Sequence, residues 1–207
     1  MEKNEMENDV YLTIEAASDV YLLKEKSSKF YGYAFPVINE EEVKNCLENL
    51  KQTHKTARHF CYAYQIGTIQ KQYRANDDGE PNNSAGMPIF GQIQSFGLTN
   101  ILIVVVRYFG GIKLGVGGLI SAYKTTAQEV LNSSNIVSKT INVQYSIQFE
   151  YKNLNKVMRI LKEKNLTIVE QRMHLDCEIV VETRQKNSEQ IKRIFDEMFG
   201  ITLKEHS

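Results

Sequence analysis

Cysteine is scarce, neither sign of charge is in surplus and no long apolar run occurs, and each shortage closes off a class of protein. The three cysteines, Cys46, Cys61 and Cys177, are odd in number, far apart and set within apolar patterns. They suit neither a disulfide framework nor a zinc site and read as core thiols in a reducing cytosol. The 25 basic and 25 acidic residues cancel. That balance excludes a protein that coats nucleic acid by bulk charge and leaves only local patches for an anionic partner. No apolar stretch approaches the ~20 residues of a membrane span, and residues 1–9 are acidic and polar rather than basic and then apolar. A cytoplasmic location without a membrane partner is expected.

What is present begins with size: 207 residues, 42% hydrophobic, suffice for one large core or two small ones. The chain is organised around an unbroken apolar run at residues 101–106, the pattern of a strand buried on both faces, followed by helical spacing from Leu119. Between them lie Gly110, Gly111, Gly115, Gly117 and Gly118, five glycines in nine residues, with Arg107 and Lys113 alongside. Glycine loses much conformational entropy on folding, so this density implies backbone at positive φ or a close approach by another group. The loop feeds a helix N-terminus, whose free N–H groups and dipole suit an anion, above all a phosphate. The competing reading is a turn that lets a helix pack tightly on a sheet. Neither Gly-x-Gly-x-x-Gly nor Gly-x-x-x-x-Gly-Lys-[Ser/Thr] is matched, so no named nucleotide follows.

A second unusual stretch, residues 76–88, holds Asp77, Asp78 and Glu80 among small and turn-forming residues. Three carboxylates this close repel unless a cation sits among them, either a basic side chain from elsewhere or Mg²⁺. The alternative is a solvated turn whose acids cap a helix starting near Ser84. His54 and His59 are five positions apart, the wrong spacing for two ligands on one helix face, and no metal role is assigned to them.

In chain order, residues 1–18 read as a frayed lead-in, and residues 20–24 and 29–37 as strands, the second rich in aromatics. Glu40, Glu41 and Glu42 load the first turn of a helix that presents Val43, Leu47 and Leu50. A strand from His59 to Tyr64 and a helix carrying Ile89, Phe90, Ile93 and Phe96 follow. A long amphipathic helix ends near Ser134. From Val143 the alternation changes to a strand with one wet face, and the remaining periodicities predict β-α-β-β-α-β, the split βαβ or ferredoxin-like plan. An α+β protein of two domains, 1–137 and 138–207, is expected.

His59-x-Cys61-x-Ala63-Tyr64, Asp77-Asp78-Gly79-Glu80-Pro81, Ala85-Gly86-x-Pro88 and Arg107-Tyr108-Phe109-Gly110-Gly111-x-Lys113-Leu114-Gly115-x-Gly117-Gly118-Leu119 with Ala122-Tyr123 together resemble the Impact/YigZ family. Where that family has Gly-Thr before Ala-Gly, this chain has Asn83-Ser84. The resemblance implies a ribosomal protein S5 domain 2-like N-terminal domain and a ferredoxin-like domain similar to the last domain of elongation factor G, as in bacterial members. It also implies a translation-associated protein contacting ribosome, RNA or a translation factor. A Mg-dependent enzyme acting on a phosphorylated small molecule and a protein-interaction module are the alternatives. On these readings Arg107, Gly110, Gly111, Lys113, Gly115, Gly117 and Gly118 would receive phosphate or nucleic acid. Asp77, Asp78 and Glu80 would pair with cations, and His59, Ser84 and Tyr123 would support them. No catalytic residue, metal site or resident cofactor is assigned beyond the Mg²⁺ alternative at the acidic turn.

Overall fold

The computed structural model describes residues 9–206 and has two compact units. One is Tyr11–Lys139; the other combines Met1–Val10 with Thr140–Ser207.

The first unit is built on a five-stranded sheet in the order β2 (Tyr21–Glu25), β3 (Ser28–Pro36), β6 (Ile101–Tyr108), β4 (His59–Ile66), β5 (Gln72–Asn76). All four pairings are antiparallel, so the central β6 is doubly buried within an antiparallel sheet. Its residues 101–107 are all buried, as the apolar run requires. Helices α2 (Gly86–Ser95) and α3 (Gly115–Ser133) cover one face, over Phe30, Ala34, Cys61, Ala63, Ile103 and Val105. Helix α1 (Glu40–Thr53) covers the other, over Phe60, Tyr64, Leu102, Val104 and Val106. Its start follows from the capping box: Asn39 accepts from the Glu42 N–H at 2.9 Å, and Glu42 reaches back to the Ile38 N–H at 2.8 Å.

The lead-in reading fails from Val10 onward. Val10–Ile14 is strand β1, paired with β7 (Ile136–Thr140), and Ile14 is fully buried in the helix-covered core. Five residues flanked by polar segments are too short for their alternation to stand out, and only the distant β7 reveals their partner. Residues 1–8 lie outside the described part.

In the second unit, β8 (Asn142–Glu150), α4 (Leu154–Glu163), β9 (Thr167–Arg172), β10 (Asp176–Arg184), α5 (Ser188–Asp196) and β11 (Ile201–His206) form an antiparallel sheet in the order β11-β8-β10-β9. The two helices bury Val157, Leu161, Ile191 and Phe195 against Tyr145, Ile147, Phe149 and Ile179. The opposite face carries polar pairings: Glu178 accepts from Ser146 and Gln148, and Glu182 from Asn142 and Gln144. Arg184 grips Asp9 through two bonds of 2.7 Å, and this hydrogen-bonded pairing holds the Asp9 carboxyl below its usual range.

Candidate functional site at the glycine loop

Strand β6 delivers Arg107 to the helix-covered side of the sheet, opposite Phe30 on β3 and His59 on β4. Arg107 is 5% exposed. Read from sequence as a phosphate donor, it is instead committed within the fold: its Nη1 donates to Glu80 Oε1 at 2.6 Å, and its guanidinium lies 5.4 Å from both the Phe30 and Phe109 ring centroids. The Tyr123 hydroxyl donates to the same Glu80 oxygen at 2.8 Å and accepts from Cys61 Sγ at 3.2 Å. Burial, reinforced by Cys61 and Glu80, pushes the Tyr123 phenol up, and burial pushes the Cys61 thiol up, so both stay protonated. Arg107 Nε is buried and has no hydrogen-bond partner among the described residues.

The acidic turn does reach Arg107, through Glu80, while the two aspartates are met by backbone. Asp77 Oδ1 accepts from the Ala85 and Gly86 N–H groups at 2.9 and 2.8 Å, and Oδ2 from Asn83 at 2.8 Å. Asp77 thus caps α2 from eight residues upstream. Asp78 Oδ2 accepts from the Phe60 N–H at 2.6 Å, and His59 Nδ1 lies 2.9 Å from the Asp78 carbonyl. The buried Ser84 hydroxyl donates to the Pro81 carbonyl at 2.6 Å. Each carboxylate is turned to its own donors, and among the described residues no three His, Cys, Asp or Glu side chains are placed to hold a metal ion. Asn83 has φ +60°, the left-handed backbone that a glycine would occupy without strain.

The glycines divide by role. A Cβ on Gly110 would sit 2.1 Å from the Ser27 carbonyl, so this glycine lets the loop press on the β2–β3 turn. Its N–H also donates to Ser28 Oγ at 3.2 Å. At Gly118 a Cβ would come within 3.1 Å of Leu114. These two fit the packing reading. Gly111, Gly115 and Gly117 do not, because an added Cβ would meet nothing within 4 Å; Gly111 and Gly115 have positive φ, at 87° and 72°, whereas Gly117 has neither constraint. Helix α3 begins here without a side-chain cap and with no acidic residue in its first turn, and Lys113 is exposed beside it. The outcome is a bare, uncapped helix start next to a lysine.

Sequence reading overlooked what lies where β6 runs into the loop. A recess of about 460 Å³ opens beside the loop, lined by Ser27, Lys29, Tyr31, Tyr108 and Phe109. His54, at the end of α1, fixes its back wall: Nδ1 lies 2.9 Å from the Tyr108 hydroxyl and Nε2 2.7 Å from that of Tyr33. Burial lowers the His54 pKa and, with Tyr31 and Tyr108 close by, raises that of Tyr33. The alternation of Tyr31, Tyr33 and Phe35 was the available signal, since period two places them on one face.

An antiparallel sheet with helices on both faces, its central strand tied to an acidic turn by the Arg107–Glu80 pair, defines a mixed α/β protein of two units. Residues 26–131 match the family model of the Impact N-terminal domain. IMPACT family member YvyE of Bacillus subtilis (strain 168) is 34% identical over 180 residues, 86% of this chain and 82% of that protein. IMPACT family member YigZ of Escherichia coli (strain K12) is 35% identical over 148 residues, 70% of this chain and 72% of that one. A crystal structure described only as that of an hypothetical protein superposes with a TM-score of 0.75 at 28% identity, covering 97% of this chain and 98% of its own. The chain belongs to the IMPACT family.

Proposed function

We propose that this protein is a non-enzymatic, translation-associated binding protein of the cytoplasm that holds RNA, free or within the ribosome, by its backbone phosphates at the glycine loop. The observation that carries the reading is the start of α3. Gly111, Gly115 and Gly117 leave backbone uncovered, no side chain among the described residues caps the helix, and Lys113 stands beside it. Phosphate contacts require donors and positive charge, not a reactive group, and this surface offers both. Family membership supports the link to translation. The first unit is read as the S5 domain 2-like domain. The second is read as the ferredoxin-like domain resembling the last domain of elongation factor G, a reading its element and strand order supports.

The test is co-sedimentation with ribosomes, and binding of single-stranded RNA, at several salt concentrations with wild type and Lys113→Glu. Weaker binding with a salt slope reduced by about one is expected of the variant. Unchanged affinity and slope in a folded Lys113→Glu protein would remove the loop from the binding surface.

A further inference from the structure

Strand register puts Lys24 directly opposite Lys29 on the β2–β3 hairpin, and Lys29 directly opposite Tyr108 on β6. Directly opposed residues share a sheet face, so Lys24, Lys29 and Tyr108 form one row, with Tyr31 in the next. Like charges in that position oppose the pairing, and among the described residues neither lysine has an ion-pair partner. The hairpin turn adds Lys26 and Ser27 at φ 44° and 67°, left-handed backbone that a turn of this kind usually gives to Asn or Gly. Glu25 is the single acid among residues 24–29. A strained, lysine-rich hairpin is thus kept beside an aromatic recess.

The recess is preorganised. Tyr108 is tethered by His54 and meets Tyr31 edge to face at 5.6 Å. Phe109 is 52% exposed, with its ring over the guanidinium of Arg107, itself anchored by Glu80. A ring held on one side and open to solvent on the other is a stacking platform. Cationic rims with aromatic floors suit single-stranded nucleic acid, in which each base has a π face and each nucleotide a phosphate.

We propose that the recess of Ser27, Lys29, Tyr31, Tyr108 and Phe109 is a base-stacking site for one nucleotide of single-stranded RNA, with Phe109 as the platform and Lys24 and Lys29 at the flanking phosphates. This rests on the reading of the glycine loop as an RNA contact and extends it from phosphate to base. The occupant is a nucleotide rather than an apolar peptide because the rim is cationic. A base locked in a duplex does not enter, so single strands bind in preference to the matching duplex.

The test uses the full chain and a fluorescent ten-nucleotide single-stranded RNA. Phe109→Ala should stay folded with a cooperative transition, its melting temperature lowered only by the lost contact with Arg107, yet weaken binding about tenfold or more with an unchanged salt slope, since stacking carries no charge. Lys24→Gln with Lys29→Gln should instead lower the slope by about one to two. The chain has no tryptophan, so Phe109→Trp supplies a lone reporter whose emission should be quenched at saturating RNA. Wild-type affinity in Phe109→Ala, unaltered Phe109→Trp emission, or equal affinity for the duplex would overturn the base site. Loss of binding in Lys113→Glu alongside intact binding in Phe109→Ala would sink the recess and spare the loop. The reverse pattern would sink the loop reading and keep the recess, and no RNA binding by wild type would remove both.

Discussion

Arg107 and Glu80 face each other at 2.6 Å with side chains only 6% and 5% exposed. The pair ties the acidic turn to β6, and Tyr123 of α3 closes the third side through the same carboxylate oxygen. Removing one partner strands a buried charge. Glu80→Ala is expected to destabilise the fold by ~3–5 kcal/mol, and Tyr123→Phe by ~1–2 kcal/mol. Urea unfolding checks both; a Glu80→Ala loss below that of Tyr123→Phe would refute the central place given to the ion pair.

Gly110 and Gly117 should respond in opposite directions. Gly110→Ala drives a Cβ against the Ser27 carbonyl, so the loop or the hairpin must shift and stability falls by ~1–3 kcal/mol. Gly117→Ala meets no atom and removes a glycine from a helix, which raises stability by up to ~0.5–1 kcal/mol. Melting temperatures decide, and a Gly117→Ala protein that is more stable yet binds RNA less well separates function from packing at that position.

Asn83 occupies left-handed backbone at φ +60°, and among the described residues only its main-chain N–H is used, by Asp77. Asn83→Gly should therefore be neutral or stabilising. Asn83→Val should cost ~1–2 kcal/mol, because a β-branched residue resists that conformation. Equal unfolding midpoints for the two variants would contradict the assignment.

His54 predicts a pH dependence. It sits among Tyr31, Tyr33 and Tyr108, and burial lowers its pKa from 6.5. The unfolded chain then takes up the proton at higher pH than the folded one. The stabilising contribution is complete above 6.5 and is lost as pH falls from there through the lowered folded value. Equilibrium unfolding between pH 7.5 and about 5 should show this loss in wild type and less of it in His54→Gln. Parallel curves for the two proteins would exclude His54 as its source.

Much of the secondary structure could be read along the chain because period and composition are local properties. The apolar run of β6, the acid-led start of α1, the 3.6-residue stripe of α3 and the alternation of β8 and β10 stand where their patterns placed them. Strands β1, β5 and β7 did not announce themselves: each is five residues long and is defined by the strand it pairs with.

At the site, sequence alone determined that five glycines, a lysine and three carboxylates had to be accommodated, since their conformational and charge costs follow from residue type. Tertiary structure decided how. Register and burial sent Arg107 inward to Glu80, and Asp77 to the start of α2. The same register placed Lys24, Lys29 and Tyr108 in one row, although Tyr108 lies far along the chain from both lysines. Which charge meets which, and which ring is left open to solvent, depends on contacts between distant segments, and those exist only once the sheet has formed.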